Sequence, residues 1–214
     1  MSQQARRYTS EIRDEQARRT RRAIVAAARE LFLAQGYAAT TIDAIAQAAH
    51  VSRRTVFNSV GGKAALLKLA VDWAVVGDDE PVPMAERPAV KAIQAEPNPR
   101  KGLALWAQMV TEIATRVAPI SDVLTAAADA DPDAAQLAAN ADRERMFGAT
   151  AFVRYLASLG SLAPGLTQQH AADVCWVHND PHLYRRLVTE RGWTTSEFRQ
   201  WLFTSLAAAL LPSP

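Results

Sequence analysis

One cysteine, Cys175, in 214 residues leaves no intramolecular disulfide and suits a reducing compartment. No apolar run reaches the roughly 18 residues that a membrane span needs. The N-terminus is polar and arginine-rich without the apolar stretch of a secretion signal, so the expected location is cytoplasmic, with no membrane partner. No segment alternates apolar and polar residues over a convincing strand length, and no internal repeat is visible. What remains is alanine- and leucine-rich sequence that favours helix, and the expected fold class is all-α. Metal and catalytic groups are equally sparse. His178 and His182 are four apart, a ligand spacing on a helix, but Asp180-Pro181 lies between them and keeps them off one face. Cys175 and His178 make half a site with no further ligands. Cys175 sits in an apolar helical stretch with no acid-base partner beside it and reads as a buried thiol. The expectation is therefore no metal, no cofactor and no enzyme.

Charge is present, and unevenly. Up to Lys63 the chain carries ten Arg and one Lys against three Glu and two Asp, 11 − 5 = +6. The remainder carries 13 − 17 = −4, so a basic end stands on a slightly acidic body. Within the basic end, Ile42, Ile45, Ala46 and Ala49 recur at i, i+3, i+4 and i+7, one apolar helix face. Thr40 stands ahead of them as the expected N-cap, with Asp43 three residues on. His50-Val51 makes a short joint, and Ser52 caps a second helix at once. That helix turns Val56 and Val60 back and carries Arg53, Arg54, Thr55, Asn58 and Ser59 outward. An apolar-faced helix, a tight turn and an arginine-bearing helix form a helix-turn-helix, here without the usual turn glycine. Arg53 and Arg54 lie where side chains reach base edges, and arginine matches guanine O6 and N7 bidentately. Thr41, Thr55 and Lys63 read as phosphate contacts that set register, and Asn58 suits either role.

These residues carry a family resemblance. A long amphipathic helix ending in Gln35-Gly36-Tyr37, then Thr40-Thr41-Ile42, Ile45-Ala46, Val51-Ser52-Arg53-Arg54-Thr55-Val56-Phe57, Lys63 and Leu66 resembles the N-terminal domain of TetR/AcrR-type transcriptional regulators. The resemblance spans about Arg19 to Ala70. It implies a DNA-binding set of Thr41, Ser52, Arg53, Arg54, Thr55, Phe57, Asn58, Ser59 and Lys63. Where the family usually has a Tyr-x-His-Phe run, this chain has Phe57-Asn58-Ser59-Val60, and Phe57 lacks the hydroxyl that commonly meets a phosphate.

Ahead of the motif, residues 1–13 lack apolar periodicity and read as a flexible basic arm, with Arg6 and Arg7 able to enter a minor groove. Ile24, Ala28, Leu31 and Phe32 stripe a long first helix that Gly36 ends. Arg18, Arg19, Arg21 and Arg22 on its first turns suit a phosphate backbone. Gly61-Gly62 break the second motif helix. The acidic, proline-bearing segment Gly77 to Pro83 is the expected boundary between a DNA-binding domain (14–76) and a helical domain (84–214).

In the second part, Asn98-Pro99, Asp131-Pro132 and Asp180-Pro181 each place a cap residue before a first-turn proline, and Thr194 with Glu197 makes a capping box. Pro119 should interrupt the helix that starts at Pro99, leaving a short one from Ile120. The resemblance implies a small effector bound inside this bundle, with Trp106, Met109, Ile113, Phe147, Phe152, Tyr155 and Trp176 as pocket walls. Glu112, Arg116 and His178 are polar anchors. On the last helix Phe198, Trp201, Leu202, Leu206, Ala209 and Leu210 form a stripe that Phe203 and Leu211 widen beyond one face, which suggests a second packing partner. The family supplies one as a two-fold dimer contact. The whole then reads as a ligand-responsive repressor that binds a pseudo-palindromic DNA operator as a homodimer. Two other readings stay open: a ligand-binding or scaffolding protein of the same fold with impaired DNA recognition, and an enzyme using His178 and Cys175.

Overall fold

The computed structural model describes the backbone of residues 3–212 and the side chains of residues 13–212. Ten α-helices occupy the described residues: α1 Gln3–Ala39, α2 Ile42–Ala48, α3 Arg53–Ser59, α4 Lys63–Val76, α5 Pro88–Ala95, α6 Pro99–Ala128, α7 Pro132–Ser158, α8 Gln168–His178, α9 Pro181–Tyr184 and α10 Thr195–Leu210. A 3₁₀ turn at Met84–Glu86 and a π-helical segment at Arg185–Glu190 complete them. Helical backbone begins at Gln3, inside the segment expected as an arm; the side chains of Arg6 and Arg7 lie outside the described residues.

The caps follow short-range chemistry. Asn98 accepts the amide of Lys101, Asp131 those of Asp133 and Ala134, and Asp180 that of His182. Thr194 and Glu197 satisfy each other's backbone as a capping box. Pro119 does not interrupt α6, which runs unbroken from Pro99 to Ala128. Val117, Ala118, Ile120 and Leu124 are buried on both sides of the proline, and packing overrides the lost hydrogen bond. Pro119 and Thr115, whose carbonyl the proline leaves without an amide, both face solvent.

Two cores divide the molecule, and α6 belongs to both. Its first half, with Leu103, Trp106 and Val110, packs with Phe152, Val153 and Leu156 of α7 and with Phe198, Leu202 and Leu206 of α10. Its second half, with Val117, Ile120 and Leu124, packs with Ile24 and Phe32 of α1, Ile45, Val56, Leu66 and Leu67. The apolar core of the head is thus continuous with the body, although the chain crosses between them through a polar linker. At the upper seam α6 and α7 meet closely at Gly102, where a Cβ would lie 2.0 Å from Tyr155 Oη.

A hydrogen bond ties head to body at the other end. Tyr37 Oη donates to Asp131 Oδ2 at 2.6 Å, 94 residues away, at the cap of α7. Burial and the carboxylate acceptor raise the Tyr37 hydroxyl well above its usual range, while that bond first and the cap amides next lower the Asp131 carboxyl. Tyr37→Phe is expected to cost about 1.5 kcal/mol, the low end for a bond to a charged acceptor. Denaturant unfolding measures it; an unchanged midpoint would show that the bond adds nothing to water's alternative.

Candidate nucleic-acid interface

The end of α1 sets the height of the motif. Gly36 sits at φ 80°, outside the helical region, and breaks the run before Tyr37. Thr40 is not the cap of α2. It is buried, and its hydroxyl donates to the Gly36 carbonyl at 2.8 Å. The next residue, Thr41, is the N-cap and accepts the Ala44 amide at 3.1 Å. Thr41 is exposed.

The turn between α2 and α3 is closed by backbone bonds from Ala49 to Ile45 and from Val51 to Ala46. His50 takes the left-handed conformation, φ 54°, that a turn glycine would otherwise supply. Ser52 accepts the Thr55 amide at 3.0 Å, and the two hydroxyls lie 2.8 Å apart, so Ser52 and Thr55 hold the start of α3 together. Val56 is fully buried against the head core and fixes which face of α3 turns outward. That outward face carries Arg53, Arg54, Phe57 and Asn58, all exposed, with Ser59 half-buried at its edge.

The outward residues differ in their ties. Arg53 Nη1 lies 3.1 Å from Asp43 Oδ2 of α2, and its guanidinium sits 5.7 Å from the Phe57 ring centroid. Arg54 makes no hydrogen bond or ion pair among the described residues. Lys63 is turned inward: Nζ donates to the Tyr37 carbonyl at 2.9 Å and stands 4.2 Å from the Tyr37 ring centroid. With a longer bond to the Ala38 carbonyl at 3.5 Å it braces α4 against the end of α1, and a phosphate contact would use the one N–H that remains.

Of the α1 arginines, two are held by the linker. Arg18 and Arg22 both donate to Asp79, Arg22 through two nitrogens, and Arg18 also reaches Glu80. These bonds, Arg22's first, lower the Asp79 carboxyl. Asp78 is held down to about 2, chiefly by Arg87. The arginine cluster expected to face phosphate is thus split: Arg18 and Arg22 bind the linker, whereas Arg19 and Arg21 are exposed. Sequence reasoning missed this because Asp79 lies 57 residues from Arg22. Only the joint presence of an arginine cluster and an Asp-Asp-Glu run hinted at it.

The pocket walls expected in the body come together mostly as packing. Trp106 stacks on Phe152 with centroids 4.8 Å apart, Phe152 meets Tyr155 at 5.8 Å, and Tyr155 donates to the Glu96 carbonyl. Met109 is half-buried on the same core, whereas Ile113 packs on the head core. Phe147 is not a wall. It is 69% exposed on the outer side of α7. Trp176 lies under the Arg145 guanidinium at 4.8 Å, and its Nε1 is buried with no hydrogen-bond partner among the described residues. Of the polar anchors, Arg116 instead donates to the Ala74 and Val75 carbonyls at the end of α4. His178 bonds the Val174 carbonyl. Glu112 lines a groove of about 270 Å³ between α6 and α10, beside a second of about 500 Å³ that shares Gln108 and Arg199.

Part of the apolar breadth of α10 packs within the chain, while Trp201 and Phe203 stay half-buried and Ala209 is exposed. Trp201 stacks with His178 and meets Trp193 edge-on, and Leu211 is buried. Phe203 packs on the rim of the same core. Burial pushes the Cys175 thiol up to about 12, away from nucleophilic use. Among the described residues no three His, Cys, Asp or Glu side chains converge for a metal, and no helix is long and apolar enough to cross a membrane.

Residues 24–70 match the family model for bacterial regulatory proteins of the tetR family. The HTH-type transcriptional regulator TcmR of Streptomyces glaucescens is 41% identical over 80 residues, 36% of this chain and 35% of that protein, so the match spans about a third of the relative. The fold of the whole is similar to that of NalD from Pseudomonas aeruginosa, the secondary repressor of the MexAB-OprM multidrug efflux pump, with a TM-score of 0.64 and 21% identity over 92% of this chain and 98% of that one. It is also similar to SmeT in complex with triclosan, with a TM-score of 0.67 and 17% identity over 90% and 91% of the two chains. Residues 24–70 thus carry the regulatory domain of the tetR family, and the fold of the whole is similar to that of TetR-family regulators.

Proposed function

We propose that the chain is a ligand-responsive transcriptional repressor that binds a pseudo-palindromic operator in double-stranded DNA as a homodimer. The observation that carries the reading is the outward face of α3, where Arg53, Arg54 and Asn58 stand exposed while Val56 anchors the helix from behind. Side chains so placed reach base edges once the helix enters a major groove, and the +6 charge of the first 63 residues favours a polyanion. Residues 14–76 act as the DNA-binding domain and residues 84–214 as the effector-binding and dimerisation domain. The half-buried Trp201 and Phe203 of α10, with the exposed Phe147 of α7 and Val177 of α8, support a contact with a second copy.

The effector acts through α6, the helix common to both cores. Arg116 on α6 holds the last carbonyls of α4, so a displacement of α6 carries the end of α4 with it. SmeT, of the same fold, binds triclosan, which supports an apolar small molecule as the effector class. Here such a ligand would part the Trp106–Phe152 stack or meet the unsatisfied indole N–H of Trp176. A dimer reads two half-sites only while its recognition helices lie about 34–36 Å apart, so a ligand that favours another spacing lowers DNA affinity. The usual coupling is about 5–150-fold, and operator must weaken the effector by the same factor.

Selection of bound fragments from a random DNA pool by the purified protein tests the reading. An enriched inverted repeat is the expected result, and a pool that stays unenriched at low salt would sink it.

A further inference from the structure

Phe57 is the one large apolar side chain on the outward face of α3, and nothing in the fold accounts for its exposure. It is 46% exposed, while its neighbour Val56 is fully buried and closes the head core without it. The ring has no donor or acceptor, so it can neither hold a phosphate oxygen nor read the polar edge of a base. It does have a fixed neighbour. Arg53 lies one turn earlier on the same face, with its guanidinium 5.7 Å from the ring centroid; its exposed ion pair with Asp43 of α2 opens when it meets a base. A cation and an aromatic ring are thus presented side by side toward the surface a groove would occupy.

Only one base edge in the major groove offers an apolar group, the C5-methyl of thymine. Arginine's fork matches guanine. From these two facts and the pairing of Arg53 with Phe57, we infer that Phe57 is a specificity-determining residue that packs on a thymine methyl in the base pair beside the guanine taken by Arg53. The inference rests on the DNA-binding reading above and adds to it a base and a reason. Contact with the methyl removes apolar surface of both groups from water, and one buried methyl changes affinity about fourfold per half-site.

The test replaces thymine by deoxyuridine, which deletes the methyl and leaves every hydrogen-bonding group in place. Sites enriched from a random pool are resynthesised with each thymine changed in turn, and binding is measured for wild type, Phe57→Ala and Phe57→Leu. In wild type one position per half-site, adjacent to a guanine, should lose about fourfold in affinity on conversion to deoxyuridine. Phe57→Ala should bind the thymine and deoxyuridine forms equally, and Phe57→Leu should retain part of the difference. Phe57 is exposed, so both variants keep the head core; a circular dichroism melt verifies it. If no deoxyuridine substitution weakens wild type, or if the penalty persists unchanged in Phe57→Ala, the role assigned to Phe57 is wrong while DNA binding stands. A pool with no enriched sequence overturns the DNA-binding reading itself, and the inference with it.

Discussion

Replacing Trp106 with alanine is expected to destabilise the fold by about 3–5 kcal/mol and lower its thermal midpoint by on the order of 10 °C. The indole is 3% exposed and stacks on Phe152 at 4.8 Å, so it joins α6 to α7 at the centre of the upper core. Truncation removes the largest side chain of that layer and leaves a cavity whose walls, Leu103, Phe152 and Leu156, are held by long helices and cannot close over it. Met109→Ala, on the half-buried rim of the same core, should cost clearly less. The comparison separates packing from a pocket wall. A side chain lining an open ligand site has water on one side, and its removal costs little while it enlarges the site. Calorimetry and denaturant unfolding of the two variants decide the matter. A loss below about 1 kcal/mol for Trp106→Ala would return that residue to the pocket.

How much of this was legible in the sequence depended on the range of the interaction. Caps were legible because cap and amide lie two or three residues apart: Asn98, Asp131, Asp180 and Thr194 all act where the sequence placed them. At the motif the same reasoning missed by one residue, since Thr40 and Thr41 offer the same hydroxyl and only tertiary burial decides which points inward. Phe147 was misplaced because its size outweighed its phase. Ala149, Phe152, Val153 and Leu156 keep an i, i+3, i+4, i+7 register that Phe147 falls outside. Pro119 was taken as a break because a local rule was applied where both flanks are buried. Partners far along the chain carried no signal at all. Tyr37 and Asp131, Arg22 and Asp79, and Trp201 with His178 meet only in the fold, so the partners that two α1 arginines and part of α10 find within the chain could not be read locally. The local reading of α3 fared best. Ser52 caps it, Val56 anchors it, and Arg53 and Arg54 face outward, because all of that follows from helical periodicity over seven residues.

On that helix, Arg54→Ala is expected to weaken binding to the best operator by about 1–3 kcal/mol and to relax preference at one base pair, the signature of a lost bidentate contact with guanine. Arg53→Ala should follow the same pattern with a smaller loss, because the two arginines start from different ground states. Arg54 has no ion pair among the described residues to give up. Arg53 must leave Asp43 Oδ2, 3.1 Å away, before it meets a base. Both members of that pair are more than half exposed, so it is worth only about 0.2–1 kcal/mol, and the guanine contact outweighs it. The exposed carboxylate left behind would repel a phosphate backbone, however, which offsets part of the gain. Asp43→Asn should consequently strengthen binding to all sequences alike, without changing which site is preferred. Lys63→Ala tests a third kind of effect: Nζ braces the Tyr37 carbonyl, so its loss should loosen the head and lower thermal stability together with affinity. Binding isotherms on the selected site and on single-base variants distinguish the three outcomes. If Arg53→Ala and Arg54→Ala both kept full affinity and the wild-type base preferences, readout would have to lie elsewhere on the head.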